Sequence, residues 1–414
     1  MLLSDQKLRI GIVGGSIAGC AAAIELSRRG YAVTVLERSR SVHGRGTGIG
    51  TWSDILQSLI DRDLVDPSIP NFRVNRLPHI GRAAADDYLG RTAWEIPLKL
   101  ALLNWDDLFL NLRRRLPDSV YLGGQEVIDV RTLADGKVSL RMAAGDELAY
   151  DLVIFADGYR SLGRSLLFPH IPLVYRGYVH WRGVLPESDL ADSGPLESNL
   201  ARVSYRLGHA TFFFVPGADG SIAAGERIVN WAMYVPVPES ELAGFMTGPN
   251  GSQPPRTLRP GQVRLPLENR LKRLARECLP GYYADIISAS SNTAIQPIYS
   301  AEVEAYHQGR VCLTGDAGSF SPPFTASGVF KGINNAVDLA RTISSYFDVD
   351  EALKDWGAAQ ARTGQQVAAL ADQLEQALVF DIPDFARMSE TEMRVWWKQA
   401  SRSPRSLFNP SMPS

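Results

Sequence analysis

Leu8-Arg9-Ile10-Gly11-Ile12-Val13-Gly14-Gly15-Ser16-Ile17-Ala18-Gly19 opens the stretch on which the reading of this chain turns. The apolar run at 8–13 has the character of a buried parallel strand, and it breaks at a glycine-rich turn. From Ser16 to Gly30 the residues are helix formers, closed by a glycine. A second apolar run, Ala32-Val33-Thr34-Val35-Leu36, ends in Glu37. Strand, turn, helix, strand and acid in that order make the dinucleotide-binding pattern. The turn offers backbone N–H groups and a helix N-terminus to a pyrophosphate, whose charge the helix dipole favours. Glu37 stands where a carboxylate accepts hydrogen bonds from an adenosine ribose. The usual G-x-G-x-x-G carries a glycine where this chain has Ser16. A small residue still lets the backbone approach the phosphate, and the hydroxyl can donate to it. A purely structural strand–helix turn is the alternative, but helix, second strand and placed acid together favour a nucleotide.

Bulk properties exclude several classes. A net charge of −2 gives no reason to invoke nucleic acid or an anionic membrane as partner. No apolar run approaches the ~20 residues of a membrane span. Cys20, Cys278 and Cys312 have neither metal-ligand nor redox spacing, and an odd number argues against a disulfide framework. The chain runs almost at once into its first strand, leaving no room for a signal peptide, so a cytoplasmic monomer or homodimer is expected.

Further along, 44–50 is too glycine-rich for a regular element and reads as a loop laid against something flat or charged. Helices are expected at 53–63 and 105–116, with short strands at 72–74, 88–89, 92–96, 120–122, 126–130, 138–142 and 150–155. From 173 the character changes. Runs at 174–185, 211–215, 221–224 and 230–235 are aromatic and β-branched with Pro, Gly and Asp turns between them, the mark of an antiparallel sheet. Residues 238–262 read as a mobile loop, and 267–277 and 282–287 as helices. The parallel-strand pattern returns at 310–314, and long helices follow at 328–346 and 351–378. The polar, Pro-rich tail from 401 reads as loosely held.

Two later stretches narrow the nucleotide. In Asp151-Leu152-Val153-Ile154-Phe155-Ala156-Asp157-Gly158-Tyr159-Arg160-Ser161-Leu162-Gly163-Arg164 a buried strand ends in Asp-Gly. In Gly309-Arg310-Val311-Cys312-Leu313-Thr314-Gly315-Asp316-Ala317-Gly318-Ser319 another delivers Asp316 to a turn, which leads past Pro322-Pro323 into the helix at Gly328. One such dipeptide is an ordinary turn. Three motifs in series at strand carboxyl ends are where a ligand as long as FAD collects.

These motifs resemble the class A flavoprotein aromatic hydroxylases, the para-hydroxybenzoate hydroxylase family, over nearly the whole length. Gly14 to Gly19, Gly46-Thr47-Gly48-Ile49 and Tyr175-Arg176-Gly177-Tyr178-Val179-His180-Trp181-Arg182-Gly183-Val184 are most similar to its 2,6-dihydroxypyridine 3-hydroxylase group. The chain departs from the pattern at Gly318-Ser319, where the family has Ala-His, and at Asn104-Trp105, where an arginine is frequent. The resemblance implies an α/β fold: a doubly wound, Rossmann-like FAD domain of the glutathione-reductase type from 1–70, 100–170 and 290–375. An antiparallel-sheet substrate domain from 71–99 and 171–289 would cover it, with C-terminal helix and tail at 376–414. FAD would be held by Gly14, Ser16, Ile17, Ala18, Gly19, Glu37, Arg38, Gly46, Thr47, Gly48, Val127, Asp157, Gly158, Asp316, Pro323 and Gly328, with NADH or NADPH docking transiently. Flavin and O2 would give a C4a-hydroperoxide that hydroxylates an electron-rich phenol-, hydroxypyridine- or indole-like ring. No metal is required.

The substrate pocket is expected between the antiparallel sheet and the flavin, with Phe212, Phe214, Trp231, Met233, Tyr234, Phe320 and Phe324 as candidate lining. His180, Tyr205 and His209 are the candidate bases. Rival readings are another flavin oxidoreductase or halogenase on the same scaffold, or a non-catalytic protein that sequesters a planar molecule. Trp231-Ala232-Met233-Tyr234-Val235-Pro236 lacks the second tryptophan of the W-x-W-x-I-P halogenase pattern.

Overall fold

Arg9–Val13, Leu152–Phe155 and Val311–Leu313 are short, largely buried apolar runs, as strands covered on both faces must be. In the computed structural model, which describes residues 8–40, 48–248 and 257–401, they form the centre of a six-stranded sheet. Its order is His307–Gln308, Val311–Leu313, Leu152–Phe155, Arg9–Val13, Ala32–Glu37, Tyr121–Gly123, parallel except at the two-residue edge. The chain winds outward from Arg9–Val13 to Tyr121–Gly123, then returns to Leu152–Phe155 on the opposite side. Strand order therefore reverses between Arg9–Val13 and Leu152–Phe155, the place where open α/β sheets bind ligands outside the strand carboxyl ends. Gly14 follows one of these strands and Asp157 follows close on the other. Helix Ile17–Ser27, apolar nearly all round, is buried against helices Gly328–Ser344 and Trp105–Arg113.

A second sheet has nine strands. Ser319–Phe320, Ala294–Glu302, Val174–Pro186, Ile228–Pro236, Gly208–Val215, Ala201–Tyr205, Phe72–Gly81, Arg91–Asn104 and Gly48–Trp52 neighbour one another in that order. All pairs are antiparallel except Ala201–Tyr205 with Phe72–Gly81. One face packs on helices Leu265–Cys278 and Gly281–Ala289. The other meets the end of the long helix Val349–Glu375 and the helix Glu390–Ala400. Val127–Thr132, Val138–Met142 and Glu147–Tyr150 make a separate three-stranded meander.

The local readings need several corrections. Gly48–Trp52 is a strand despite its glycines, because Arg91–Asn104 supplies its hydrogen-bond partners. Residues 88–89 form a bend, since the Asp87 carboxylate accepts from the N–H groups of Ala83 and Gly90 and closes the chain locally. Residues 221–224 form a turn for the same reason, with Ser221 N–H donating to Asp219. Within 238–262, Glu239–Phe245 is a helix with acidic residues in its first turn. Strands Ala201–Tyr205 and Ala294–Glu302 stand apart from the expected strands, and Glu390–Ala400 is a helix within the segment expected to carry a C-terminal helix. Ala294–Glu302 and Gly48–Trp52 fall in the segments expected in the nucleotide-binding unit, 290–375 and 1–70, but pair into the nine-stranded sheet.

Candidate functional site

Gly14 adopts φ +99, and a Cβ there would lie 2.6 Å from the Ala156 carbonyl oxygen, so only glycine fits. The turn is latched by Glu37. Its Oε2 accepts from Gly15 N–H at 2.7 Å and its Oε1 from Ser39 N–H at 2.9 Å. Ser16 is the N-cap of helix Ile17–Ser27 but makes no side-chain cap bond, and the first turn holds no acid. That leaves an uncompensated helix N-terminus suited to an anion. Arg38 is exposed beside Glu37. Val127 is buried two residues past Gln125, whose N–H donates to the Glu37 carbonyl at 2.8 Å.

The second and third motifs are braced together. Arg164, 3 % exposed, donates to the carbonyls of Asp316 and Ala317, both at 3.1 Å, and to that of Tyr159. Asp157 Oδ2 accepts from Leu162 N–H at 2.7 Å, and burial raises its carboxyl above the ordinary range. Gly158 has φ +83 with open space on its Cβ side. The Asp316 carboxylate is about one-third exposed and lies 3.4 Å from Lys331 Nζ, which is itself buried and also donates to the Ser319 carbonyl. Gly315 and Gly332 close on Ala18, where a Cβ on Gly332 would come within 2.8 Å of the Ala18 Cβ. The first motif, the third motif and the helix Gly328–Ser344 thus meet at one point. The open helix N-terminus, the free side of Gly158 and the partly exposed Asp316 fit a dinucleotide laid across the switch point. Gly46 and Thr47 lie outside the described residues, and the Gly48 N–H donates to Asn230 Oδ1 at 3.1 Å.

Between the nine-stranded sheet and the turn Pro323–Thr325 is a cavity of about 150 Å³. Leu77, Leu98 and Leu100 make its apolar wall, and Arg202, His209, Thr211 and Tyr234 bring its polar groups. Pro323, Phe324 and Ala326 line the side toward helix Gly328–Ser344. Ala326 has φ 53, a left-handed conformation unusual outside glycine and concentrated at functional turns. Gly328 is exposed, and nothing stands within 4 Å of where its Cβ would be.

Of the expected lining, Tyr234 and Phe324 reach the cavity, with rings 5.0 Å apart. Phe212, Phe214, Trp231 and Met233 do not. Strand alternation turns them to the opposite face, where Phe212 packs on Tyr283 at 4.8 Å and Trp231 Nε1 donates to Ser290 Oγ at 2.8 Å. Phe320 stacks on Tyr159 at 4.9 Å, away from the cavity. Among the candidate bases, Tyr205 donates its hydroxyl to the Tyr234 carbonyl, and burial holds its phenol well above the usual range. His180 stacks on Tyr234 at 4.6 Å, and burial holds it neutral. His209 lines the cavity, also neutral, with burial and then Arg202 pulling its pKa down to about 3. Arg202 escaped the sequence reading, although Ala201-Arg202-Val203-Ser204-Tyr205 alternates apolar and polar as a half-buried strand does.

Residues 12–58 match the family described as NAD(P)-binding Rossmann-like domain, and residues 175–300 the one described as FAD binding domain-like. Fold, site and comparisons define a flavoprotein monooxygenase, with FAD as bound cofactor and NADH or NADPH as electron donor. The chain resembles the class A flavoprotein hydroxylases, the para-hydroxybenzoate hydroxylase family. It is similar to 2,6-dihydroxypyridine 3-monooxygenase of Paenarthrobacter nicotinovorans, with 27 % identity over 92 % of this chain and 94 % of that protein. The structure of 2,6-dihydroxypyridine-3-hydroxylase from Arthrobacter nicotinovorans superposes with a TM-score of 0.82 at 24 % identity, over 90 % of this chain and 93 % of that one. A salicylate hydroxylase substrate complex gives 0.73 at 18 % identity, over 99 % and 100 %.

Proposed function

We propose that this monooxygenase hydroxylates a single-ring, electron-rich aromatic or heteroaromatic substrate of the hydroxypyridine or phenol kind. The observation that carries the reading is the cavity of about 150 Å³ beside the Pro323–Thr325 turn. An apolar cavity of roughly that size holds one benzene ring. The resemblance to a hydroxypyridine hydroxylase and a salicylate hydroxylase supports the same class.

In this reading Gly14, Ser16, Ile17, Ala18 and Gly19 cradle the pyrophosphate, with Glu37, Arg38 and Val127 at the adenosine end. Asp157 and Gly158 border the pyrophosphate, Asp316 holds the ribityl hydroxyls, and Pro323 and Gly328 flank the ring. FAD supplies the activation of dioxygen; the chain supplies the rest. Helix Gly328–Ser344 would offer its positive end to negative charge developing on the ring system. Arg164 and Lys331 hold the Asp316 turn in place from buried positions. Leu77, Leu98, Leu100 and Phe324 exclude water from the substrate ring. The six-stranded sheet serves as the cofactor unit, and the nine-stranded sheet, which takes Gly48–Trp52 and Ala294–Glu302 out of the expected cofactor segments 1–70 and 290–375, as the substrate unit. The test is NAD(P)H oxidation by the FAD-loaded protein over a panel of hydroxypyridines, phenols, salicylate and indoles, with product mass followed. Stimulation by single-ring hydroxylated compounds, with one oxygen added, is expected. Equal oxidation with and without every ring would refute it.

A further inference from the structure

Two polar groups in the cavity wall have their hydrogen-bonding roles assigned by residues outside it. His209 Nδ1 lies 2.8 Å from the Leu378 carbonyl oxygen. A carbonyl only accepts, so Nδ1 carries the proton and Nε2 is left as an acceptor. Leu378 belongs to Gln376–Phe380, a π-helical turn that continues the long helix Val349–Glu375. Such turns are frequent at functional sites.

The donor is Arg202. Its Nη1 is 3.2 Å from His79 Nε2, and since guanidinium only donates, His79 is the acceptor. The guanidinium also lies 5.3 Å from the ring centre of Trp397, on helix Glu390–Ala400. Arg202 is 6 % exposed and has no carboxylate partner among the described residues; burial brings its pKa down to about 10, so it stays charged at neutral pH. A buried cation without a counter-ion is costly unless something else supplies negative charge.

We propose that Arg202 and His209 form a donor–acceptor pair that reads the lactam edge of the substrate, a ring N–H next to a ring C–O, as in a 2-pyridone. This rests on the reading of the cavity as a single-ring substrate site. The ring oxygen takes the Arg202 N–H, and the ring N–H donates to His209 Nε2. A carboxylate offers only acceptors, so against this pair it would set an oxygen lone pair facing the lone pair of His209. The same geometry rejects an N-methylated ring, which has lost its donor. Sites that pair a substrate hydrogen bond discriminate strongly against an analogue that leaves a buried group unmatched.

The test titrates FAD-loaded protein, without NAD(P)H, with 2-pyridone, N-methyl-2-pyridone and benzoate, following the flavin spectrum. Wild type should bind 2-pyridone at least tenfold more tightly than either of the others. His209→Phe, which keeps the stack of that ring on Tyr234, 4.6 Å away, should bring the N-methyl compound to within threefold of 2-pyridone. Arg202→Lys should weaken 2-pyridone at least tenfold at unchanged FAD occupancy. Trp397→Leu should do so by a smaller factor, as expected of a positioning residue. If wild type binds 2-pyridone and its N-methyl analogue equally, the edge-reading pair is overturned while the single-ring reading stands. If benzoate binds best, the site reads a carboxylate and the lactam assignment is wrong. If no single ring perturbs the flavin or stimulates NAD(P)H oxidation, the underlying function fails as well.

Discussion

Replacing Glu37 separates two roles that its carboxylate combines. Its oxygens already accept from Gly15 N–H at 2.7 Å and Ser39 N–H at 2.9 Å, so it latches the turn before any ribose is considered. Hydrogen bonds to a charged acceptor contribute about 1.5–3 kcal/mol each. The site is only half-buried, so the lower figure applies, and Glu37→Ala should cost about 3 kcal/mol of stability through the two backbone donors. A ribose hydroxyl bound to the same carboxylate adds about 1.5–3 kcal/mol to FAD affinity, which is roughly 10- to 150-fold in Kd. Glu37→Gln keeps a neutral acceptor and should fall between wild type and Glu37→Ala on both scales. The assay is FAD titration of the apoprotein by flavin fluorescence quenching, paired with urea unfolding of the same preparation. An FAD Kd within twofold of wild type in Glu37→Ala would remove Glu37 from the ribose site. A loss of stability with unchanged Kd would leave it a latch for the turn and nothing more.

Asp316→Ala should purify with less flavin or, where flavin stays, consume NAD(P)H without matching product; occupancy and the product-to-NAD(P)H ratio measure this, and full occupancy with unchanged coupling would reduce Gly315-Asp316 to a plain turn. Arg227 is 3 % exposed, lies 4.9 and 4.2 Å from the ring centres of Phe72 and Phe214, and pairs with the buried Glu187 at 2.5 Å. Arg227→Met strands that carboxylate and should cost about 3–5 kcal/mol in chemical denaturation; a loss under about 1 kcal/mol would mean water reaches Glu187. Burial holds His79, His180 and His209 below their ordinary pKa, the last at about 3. The unfolded chain therefore takes up protons below pH ~6.5 that the folded chain refuses, and stability falls with falling pH by up to about 1.4 kcal/mol per histidine per unit, with no contribution above pH ~6.5. Urea midpoints at about pH 7.5 and 5.5 should differ in that sense, and equal midpoints would contradict the buried, neutral state.

The nucleotide half was legible because its signals are local. Gly14 needs a left-handed φ, Glu37 ends a strand, and helix Ile17–Ser27 follows directly, so each constraint sits within thirty residues of the next. The cavity was far less legible. Aromatic strands announce a sheet, but whether Phe212 or Thr211 faces the substrate side depends on one residue of register, and a one-residue shift exchanges the faces. That is why Phe212, Phe214, Trp231 and Met233 fell on the helix-covered face while Arg202 and Thr211 went unnoticed.

The sequence by itself determined the doubly wound nucleotide-binding half and the antiparallel second sheet, whereas the flavin chemistry came from the resemblance of its motifs to the hydroxylase family. The first two follow from glycine positions, strand-end acids and hydrophobic periodicity, which act over one supersecondary unit. Only the tertiary structure decided which polar groups meet the substrate ring. His209 has a defined tautomer because a carbonyl 169 residues away reaches it, and Arg202 is oriented by His79, 123 residues before it, and by Trp397. Hydrogen bonds across such separations depend on how the C-terminal helices pack against the sheet, and no local pattern in the chain records that.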